Sequence, residues 1–200
     1  MNRGISKRAA NHLHCVAGRR SHAGFTLLEL MITLVVMAII IGAALPSFLN
    51  FFRDERQVSQ INKLVFALDY ARSEALKRDT PMCACATSTG ASCAATTSKD
   101  WSPGFMVFVG TVCSTAPAST AILQKYTGVP SEMALTSTIA GAVQFQANGM
   151  LASGSSAMTF KLCDPRGASS ARSADVTLSG RVTASSTVGK TASGTALTCP

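Results

Sequence analysis

The chain has 200 residues and a formal net charge of +8, from 18 Lys and Arg against 10 Asp and Glu. Five of these cations, and no acidic residue, lie in the first 24 positions, so the rest of the chain carries a net charge of only +3. All three histidines lie at or before position 22, and the sequence has no glycine-rich phosphate loop or nucleophile elbow. This composition argues against an enzyme, and we expect no cofactor and no resident metal.

An apolar run follows the basic leader. Phe25 to Leu45 is a stretch of 21 residues that contains one charge, Glu29. A helix of that length matches a bilayer core of about 30 Å. Because the leader is basic, the positive-inside bias places the N-terminus in the cytoplasm and everything after the run across the membrane. A simple secretory signal peptide, cleaved after Gly42-Ala43-Ala44, is the alternative, and it would release an exported binding domain.

The start of this run, GFTLLEL, together with a later proline, resembles the class III leader of type IV pilins and type II secretion pseudopilins. The matching residues are Gly24, Phe25, Thr26, Leu27, Leu28, Glu29 and Pro46. The resemblance implies that a prepilin peptidase removes residues 1–24 and that the free amine of Phe25 is N-methylated. Glu29, the fifth mature residue, would then pair with the amine of a neighbouring subunit in a filament. The alternative is that Glu29 reaches the lipid headgroups from its place near the cytoplasmic end.

Residues 46–80 continue as an amphipathic segment. Apolar residues recur at helical spacing and predict a buried stripe, formed by Ile61, Leu64, Val65, Leu68, Ala71 and Ala75. Asp79, Thr80 and Pro81 predict the end of the helix. The two segments therefore predict one long helix, with a membrane half at 25–45 and an amphipathic half that packs on the remainder of the chain.

Residues 81–200 predict a β-rich domain. Short apolar or alternating runs predict strands at 81–86, 104–109, 121–126, 142–147, 158–163, 174–179 and 181–184. Six cysteines remain after the leader, which contains Cys15, and an even number in an exported domain indicates disulfides. Fifteen pairings are open. Of these we favour Cys85–Cys93, Cys163–Cys199 and Cys83–Cys113.

A second resemblance covers most of this domain and points to the GspH/FimT branch of pilin-like proteins. The matching positions are Arg72, Glu74, Ala75, Trp101, Gly104, Phe105, Phe145, Gly149, Gly180 and Arg181. The resemblance implies an α+β fold, with the long N-terminal helix packed on a β-sandwich-like head of two small sheets. It implies a minor pilin or pseudopilin that primes or caps filament assembly with other minor and major pilins. The protein would reside in the bacterial inner membrane with its head in the periplasm, and later in the filament.

A DNA-binding minor pilin for natural transformation is a further alternative. FimT-like pilins of competence systems bind DNA through a late Gly-Arg-x-Arg motif, but here Thr183 takes the place of the second arginine. The candidate DNA contacts are Lys161, Arg166, Arg172 and Arg181. For Trp101 and Phe105 we predict packing in the core rather than ligand stacking.

Overall fold

The computed structural model describes residues 24–113 and 116–199, and their side chains except those of 43–47. The leader residues 1–23 therefore lie outside the described residues. The chain divides into two units, Met1–Pro46 and Ser47–Pro200. Helix α1, Leu27–Arg78, belongs to both. In the first unit, the described apolar side chains from Phe25 to Ile41 are exposed.

In the second unit, α1 packs its apolar stripe against two sheets. Five of the six predicted stripe residues are buried, and Val65 is half-buried against the same core. The helix ends where the sequence predicts. Asp79 takes a left-handed conformation with a φ of 49°, and the Thr80 N–H donates to the Ala75 carbonyl over 3.3 Å. This is the hydrogen-bond pattern of a Schellman motif.

In the described part of the chain, eight strands form two antiparallel four-stranded sheets. The strands are β1 Met82–Ala86, β2 Gly104–Val109, β3 Ile122–Thr127, β4 Ala134–Ser137, β5 Val143–Phe145, β6 Met158–Cys163, β7 Arg172–Val176 and β8 Val182–Ala184. Their order is β3-β2-β1-β5 in the first sheet and β4-β6-β7-β8 in the second. The inner faces of both sheets share one core with α1, which confirms the α+β fold class.

The sequence analysis missed one strand, β4, and misplaced another, β7. β4 was not predicted because its sequence, ALTS, lacks an alternating apolar pattern. It forms because β6 pairs with it on one side and the segment Lys99–Ser102 closes its other edge, with the Trp101 N–H donating to the Leu135 carbonyl over 2.8 Å. β7 was predicted at 174–179 but runs over Arg172–Val176, because Thr177–Gly180 form the turn into β8.

Disulfide bonds hold further layers on the outer faces of both sheets. On the first sheet, Cys83 and Cys85 project outward from β1 and form a small second core with Met106 and Phe108. Cys83 is bonded to Cys113 and Cys85 to Cys93, so two loops are fixed over this face.

The C-terminal tail covers the outer face of the second sheet. The Cys163–Cys199 disulfide joins it to β6, and Leu197 packs beside Cys163 and Ala171. All three disulfides join the cysteines that the sequence analysis favoured. A strand buried on both faces is apolar throughout, which explains why β1 and β2 lack polar alternation.

Trp101 lies where the two sheets meet. It is fully buried, with its ring 4.9 Å from that of Phe160 in a T-shaped arrangement and 6.0 Å from that of Phe105. Both Trp101 and Phe105 are core residues, as the sequence analysis predicted. Gly104 has a φ of 138°, and a Cβ at this position would lie 2.8 Å from the Tyr126 carbonyl oxygen. The Trp-x-x-Gly motif therefore has a packing role.

Candidate functional site

The first described residues form an exposed, non-helical N-terminal segment. Gly24, Phe25 and Thr26 precede the helix and are exposed. Among the described residues other than its chain neighbours, none has an atom within 4 Å of a Cβ built on Gly24. Thr26 is the N-cap residue, since its hydroxyl oxygen accepts the Glu29 N–H over 3.2 Å and its carbonyl accepts the Leu30 N–H over 3.1 Å. The Gly24–Phe25 peptide bond is therefore in an exposed, non-helical stretch immediately before a capped helix.

Glu29 occupies the third helical position after the cap. Ser or Thr followed three residues later by Glu is the capping-box pattern, and an acid in the first turn also interacts favourably with the helix dipole. The sequence analysis found Thr26 and Glu29 but missed this relation, although the T-x-x-E spacing indicates it. Among the residues described, the Glu29 carboxylate has no ion pair. Pro46 lies within the bounds of α1, but its side chain is outside the described residues.

In the first unit, the described side chains of α1 are exposed all around the helix, and all of them except Glu29 and Thr33 are apolar. In the part of the chain that the structure describes, no helix combines the length and the apolar character needed to cross a bilayer.

Three of the motif positions, Arg72, Gly149 and Gly180, converge at the C-terminal end of α1. The Arg72 guanidinium donates from Nε to the Gly149 carbonyl over 3.0 Å and from Nη2 to the Ser179 carbonyl over 3.1 Å. One side chain thereby joins the helix to two loops. A Cβ built on Gly180 would lie 1.9 Å from the Gly149 carbonyl oxygen, and Gly180 has a φ of 76°. The close approach of the two loops therefore explains why the first residue of the Gly180-Arg181 pair is a glycine.

Glu74 is almost buried on the same turn of α1. Its carboxylate accepts a hydrogen bond from Arg78 Nε and lies 3.6 Å from Lys77 Nζ. The hydrogen bond from Arg78 and the two positive charges hold the pKa of Glu74 below its usual value, although burial opposes this shift. The Arg-x-Glu-Ala motif therefore ends α1 with one arginine bound to loops and one glutamate bound to cations.

The structure does not bring the four candidate DNA contacts together. Lys161 projects from the outer face of β6 and donates to the Thr198 carbonyl over 2.9 Å. Arg172 lies opposite Leu162 in the β6–β7 ladder and so on the inner face of the sheet. Arg166 forms ion pairs of 2.7 Å with Asp54 and 2.8 Å with Asp164. The hydrogen bonds to Asp164 and Asp54 raise the pKa of Arg166 further above its usual value.

Arg181 is the remaining candidate, and it is exposed. It lines an open groove of about 460 Å³ with Thr159, Asp175, Thr177, Thr183 and Ser193. The Asp175 carboxylate is already hydrogen-bonded by the Thr159 hydroxyl and by the Ala192 N–H. Within residues 24–113 and 116–199, no group of His, Cys, Asp and Glu side chains could hold a metal ion.

An exposed Gly-Phe bond just before a capped helix, and a two-sheet head that packs on the second half of that helix, are the features of a pilin-like protein. Residues 19–45 match the prokaryotic N-terminal methylation motif, which exported, membrane-anchored pilins carry. Residues 60–181 match the family described as type II transport protein GspH. The chain therefore belongs to the GspH family, whose members are structural pilin or pseudopilin subunits. No curated protein sequence matches the chain.

Two crystal structures of the type IV minor pilin FimU from Pseudomonas aeruginosa PAO1 have a similar fold. The P2₁ form is 24% identical, with a TM-score of 0.52, and the match covers 67% of this chain and 91% of that one. The P6₅ form is 22% identical, with a TM-score of 0.50 and coverage of 63% and 90%. The similarity concerns the fold.

Proposed function

We propose that this chain is a minor pilin or minor pseudopilin, cut between Gly24 and Phe25 by a prepilin peptidase and methylated at the new amine. It then joins a type IV pilus or a type II secretion pseudopilus, where it primes or caps assembly. The role is structural and non-enzymatic. The observation that carries the proposal is the open Gly24–Phe25 bond, placed directly before a capped helix whose third residue is Glu29.

In this proposal the chain has four parts. Residues 1–24 are the removed leader, 25–45 span the inner membrane once and later enter the filament core, 46–80 form the amphipathic half of the helix, and 81–200 form the periplasmic head. The small residues Gly42, Ala43 and Ala44 permit close packing between such helices. The partners are the prepilin peptidase and the other minor and major subunits, bound through α1.

The geometry supports a specific role for Glu29. The Thr26 hydroxyl accepts the Glu29 N–H, and among the described residues the Glu29 carboxylate has no ion pair, so it is left for a partner. A lone carboxylate in an apolar bundle is costly, so a positive amine from a neighbouring Phe25 would stabilise it there. Pro46, the twenty-second mature residue, is the other position that we assign to assembly.

The first test is the intact mass of the protein from a membrane fraction. We expect a mature chain that starts at methylated Phe25, and a Gly24→Ala variant that keeps its leader. A matched Gly42→Ala variant should be processed normally. A mature N-terminus at Ala43 or later would instead show a simple signal peptide and would overturn the proposal.

The second test assigns the filament system. A clean deletion is compared with its parent by scoring sheared surface pili and secreted protein in the same cultures. Loss of pili with secretion intact assigns a type IV pilus, whereas exoproteins retained in the periplasm assign a type II system.

A Glu29→Gln chain should be cut normally but should be absent from the sheared filament fraction.

A further inference from the structure

Four large apolar side chains are exposed close together at the start of the second unit. Phe48, Leu49, Phe51 and Phe52 are 57%, 53%, 55% and 46% exposed. The rings of Phe48 and Phe52 meet edge to face with their centroids 4.6 Å apart, and those of Phe51 and Phe52 are 6.0 Å apart. A contiguous exposed apolar patch of this kind marks an interaction site. We call these four residues the aromatic collar.

The aromatic collar follows directly after the apolar run. Phe48 is three residues beyond Leu45 on α1 and Phe52 is seven, which correspond to about 5 Å and about 10 Å of helix. Helical side chains tilt toward the N-terminus, so the rings lie nearer to the run than their own Cα atoms do. A bilayer of about 40–45 Å has a hydrocarbon core of about 30 Å, which leaves about 5–8 Å of headgroup layer on each side. If the run ends at the edge of the core, the rings fall at the depth of that layer.

The charges next to the aromatic collar nearly cancel. Seven charged residues lie on the following turn of α1 or pair with it: Arg53, Arg56, Arg166, Asp54, Glu55, Glu132 and Asp164. Three are positive and four are negative, so their net charge is −1. All except Arg53 and Glu55 are in ion pairs of 2.7 to 3.2 Å among the described residues. An anionic surface gains little from this charge, so apolar contact must supply the binding.

We propose that the aromatic collar lies in the phospholipid headgroup layer on the periplasmic side of the inner membrane and fixes the depth of the helix before the subunit enters a filament. The inference rests on the proposed function, in which residues 25–45 span that membrane. Apolar rings on an interfacial helix bind at the boundary between headgroups and acyl chains. The collar also continues the apolar run without a break, since the first charged residue after Glu29 is Arg53.

This placement opposes movement of the helix in both directions. A shift into the bilayer would carry Arg53 and the ion pairs of Asp54 and Arg56 into hydrocarbon, where charges are costly. A shift out of the bilayer would move the aromatic collar into water and expose its apolar surface. The collar and the charged turn after it therefore act together as a depth stop for the membrane-spanning segment.

The test is depth-dependent fluorescence quenching of the full chain, in nanodiscs that hold one copy each so that no neighbouring helix can cover the collar. Phe48→Trp adds one reporter to Trp101, which is fully buried and gives a constant background. Lipids brominated near the headgroup are the shallow quencher, and lipids brominated at the chain ends are the deep quencher. We expect the shallow lipid to quench the added emission at least about twofold more strongly than the deep lipid.

Phe66→Trp is the matched control. Phe66 lies 18 residues after Phe48, which is about five helical turns, so the two share one face of α1, and Phe66 is 65% exposed. The two positions therefore differ mainly in their distance from the apolar run, and neither lipid should quench Phe66→Trp. Val35→Trp, in the middle of the run, reports the span itself and should be quenched most by the deep lipid.

Lipid composition separates apolar contact from charge. Replacing zwitterionic by anionic brominated lipid should change the shallow quenching of Phe48→Trp by less than about 1.5-fold, because the charges beside the collar nearly cancel. A several-fold increase in anionic lipid would assign the contact to Arg53 and would overturn the aromatic collar as its cause.

The outcomes separate this inference from the proposed function. If the deep lipid quenches Val35→Trp and neither lipid quenches Phe48→Trp, the span stands and the collar is overturned. Quenching of Phe48→Trp mainly by the deep lipid would place the collar in hydrocarbon and contradict the headgroup position. Equal quenching of Phe48→Trp and Phe66→Trp would also contradict it, because depth would then not follow position along α1. A Val35→Trp chain that no lipid quenches overturns the membrane span itself, and the collar with it.

Discussion

Among the described glycines, Gly180 is the one at which an added Cβ would come nearest to another atom, so its loop can accept no side chain there. We predict that Gly180→Ala lowers the free energy of unfolding by about 3 kcal/mol or more, because strain at positive φ adds to a clash with the Gly149 carbonyl. The measurement is urea unfolding of the full chain in detergent, followed by the fluorescence of Trp101, the single tryptophan.

Gly154 is the matched control for this prediction. Its φ of 83° is similar to that of Gly180, but nothing lies within 4 Å of a Cβ built on it. Gly154→Ala should therefore cost only the backbone strain, about 1 kcal/mol. Equal losses in the two variants would show that the approach to Gly149 does not contribute.

Glu74 should make stability depend on pH in the acid range. Its folded pKa is lowered, first by the Arg78 hydrogen bond, so its contribution is fully present above its ordinary pKa of 4.5 and is lost as the pH falls through the folded value. We predict that Glu74→Gln destabilises the protein at pH 7 and that this penalty is smaller near pH 3. Urea midpoints of both proteins at the two pH values measure this, with Glu55→Gln as an exposed control. A penalty for Glu74→Gln that is the same at both pH values would contradict it.

At the scale of the elements, the disulfides should stabilise in the order of the loops that they close. Cys85–Cys93 has a sequence separation of 8 and Cys163–Cys199 one of 36. In the chain-entropy description these correspond to about 2.5 and about 3.8 kcal/mol. We predict that replacing both cysteines of a pair by alanine costs more for the C-terminal pair, as measured by urea unfolding. The reverse order would show that packing of Cys85 beside Met106 outweighs loop closure.

The end of α1 offers a stabilising change. Asp79 has a left-handed conformation that glycine adopts without strain. We predict that Asp79→Gly raises the unfolding free energy by about 0.5–1 kcal/mol, measured as a shift in the urea midpoint. Asp79→Asn keeps a side chain but removes the negative charge from the helix C-terminus, so it separates charge from conformation. A gain of equal size in both variants would assign the effect to charge alone.

Sequence patterns were informative where local chemistry decides the structure. The apolar stripe of α1 and its Asp-Thr-Pro end are set by residues within a few positions of each other, and the apolar runs of β1, β2 and β6 were predicted as strands. The T-x-x-E start of α1 is equally local, but the sequence analysis missed it. β4 and the start of β7 depend on pairing with distant segments, and their own residues are too polar to indicate it. Arg72 likewise reaches carbonyls 77 and 107 residues away, which no local pattern predicts.

At the scale of the whole molecule, the distribution of charge predicts weak binding to DNA. Lys161 and Arg166 are held by other groups and Arg172 lies on an inner sheet face, so Arg181 is the one candidate contact that is left exposed. With about one phosphate contact, the logarithm of affinity should fall with the logarithm of salt with a slope of about −0.9. Fluorescence anisotropy of the processed chain with duplex DNA measures this.

Two variants test whether Arg181 is the residue that contacts DNA. Arg181→Ala should remove most of the remaining affinity, whereas Lys190→Ala on the tail should not. A salt slope of about −3.6 would instead show that all four cations contact phosphate, and the sheet faces would then have to rearrange on binding.

The disulfides on the outer faces of the sheets also indicate the compartment in which the head was completed. A reducing cytosol does not form them, so a head retained there would lack the closure of both outer layers. A head with all three disulfides must therefore already have crossed the membrane. Translocation comes first and oxidation second, and only then are the outer faces rigid enough to contact a neighbouring subunit.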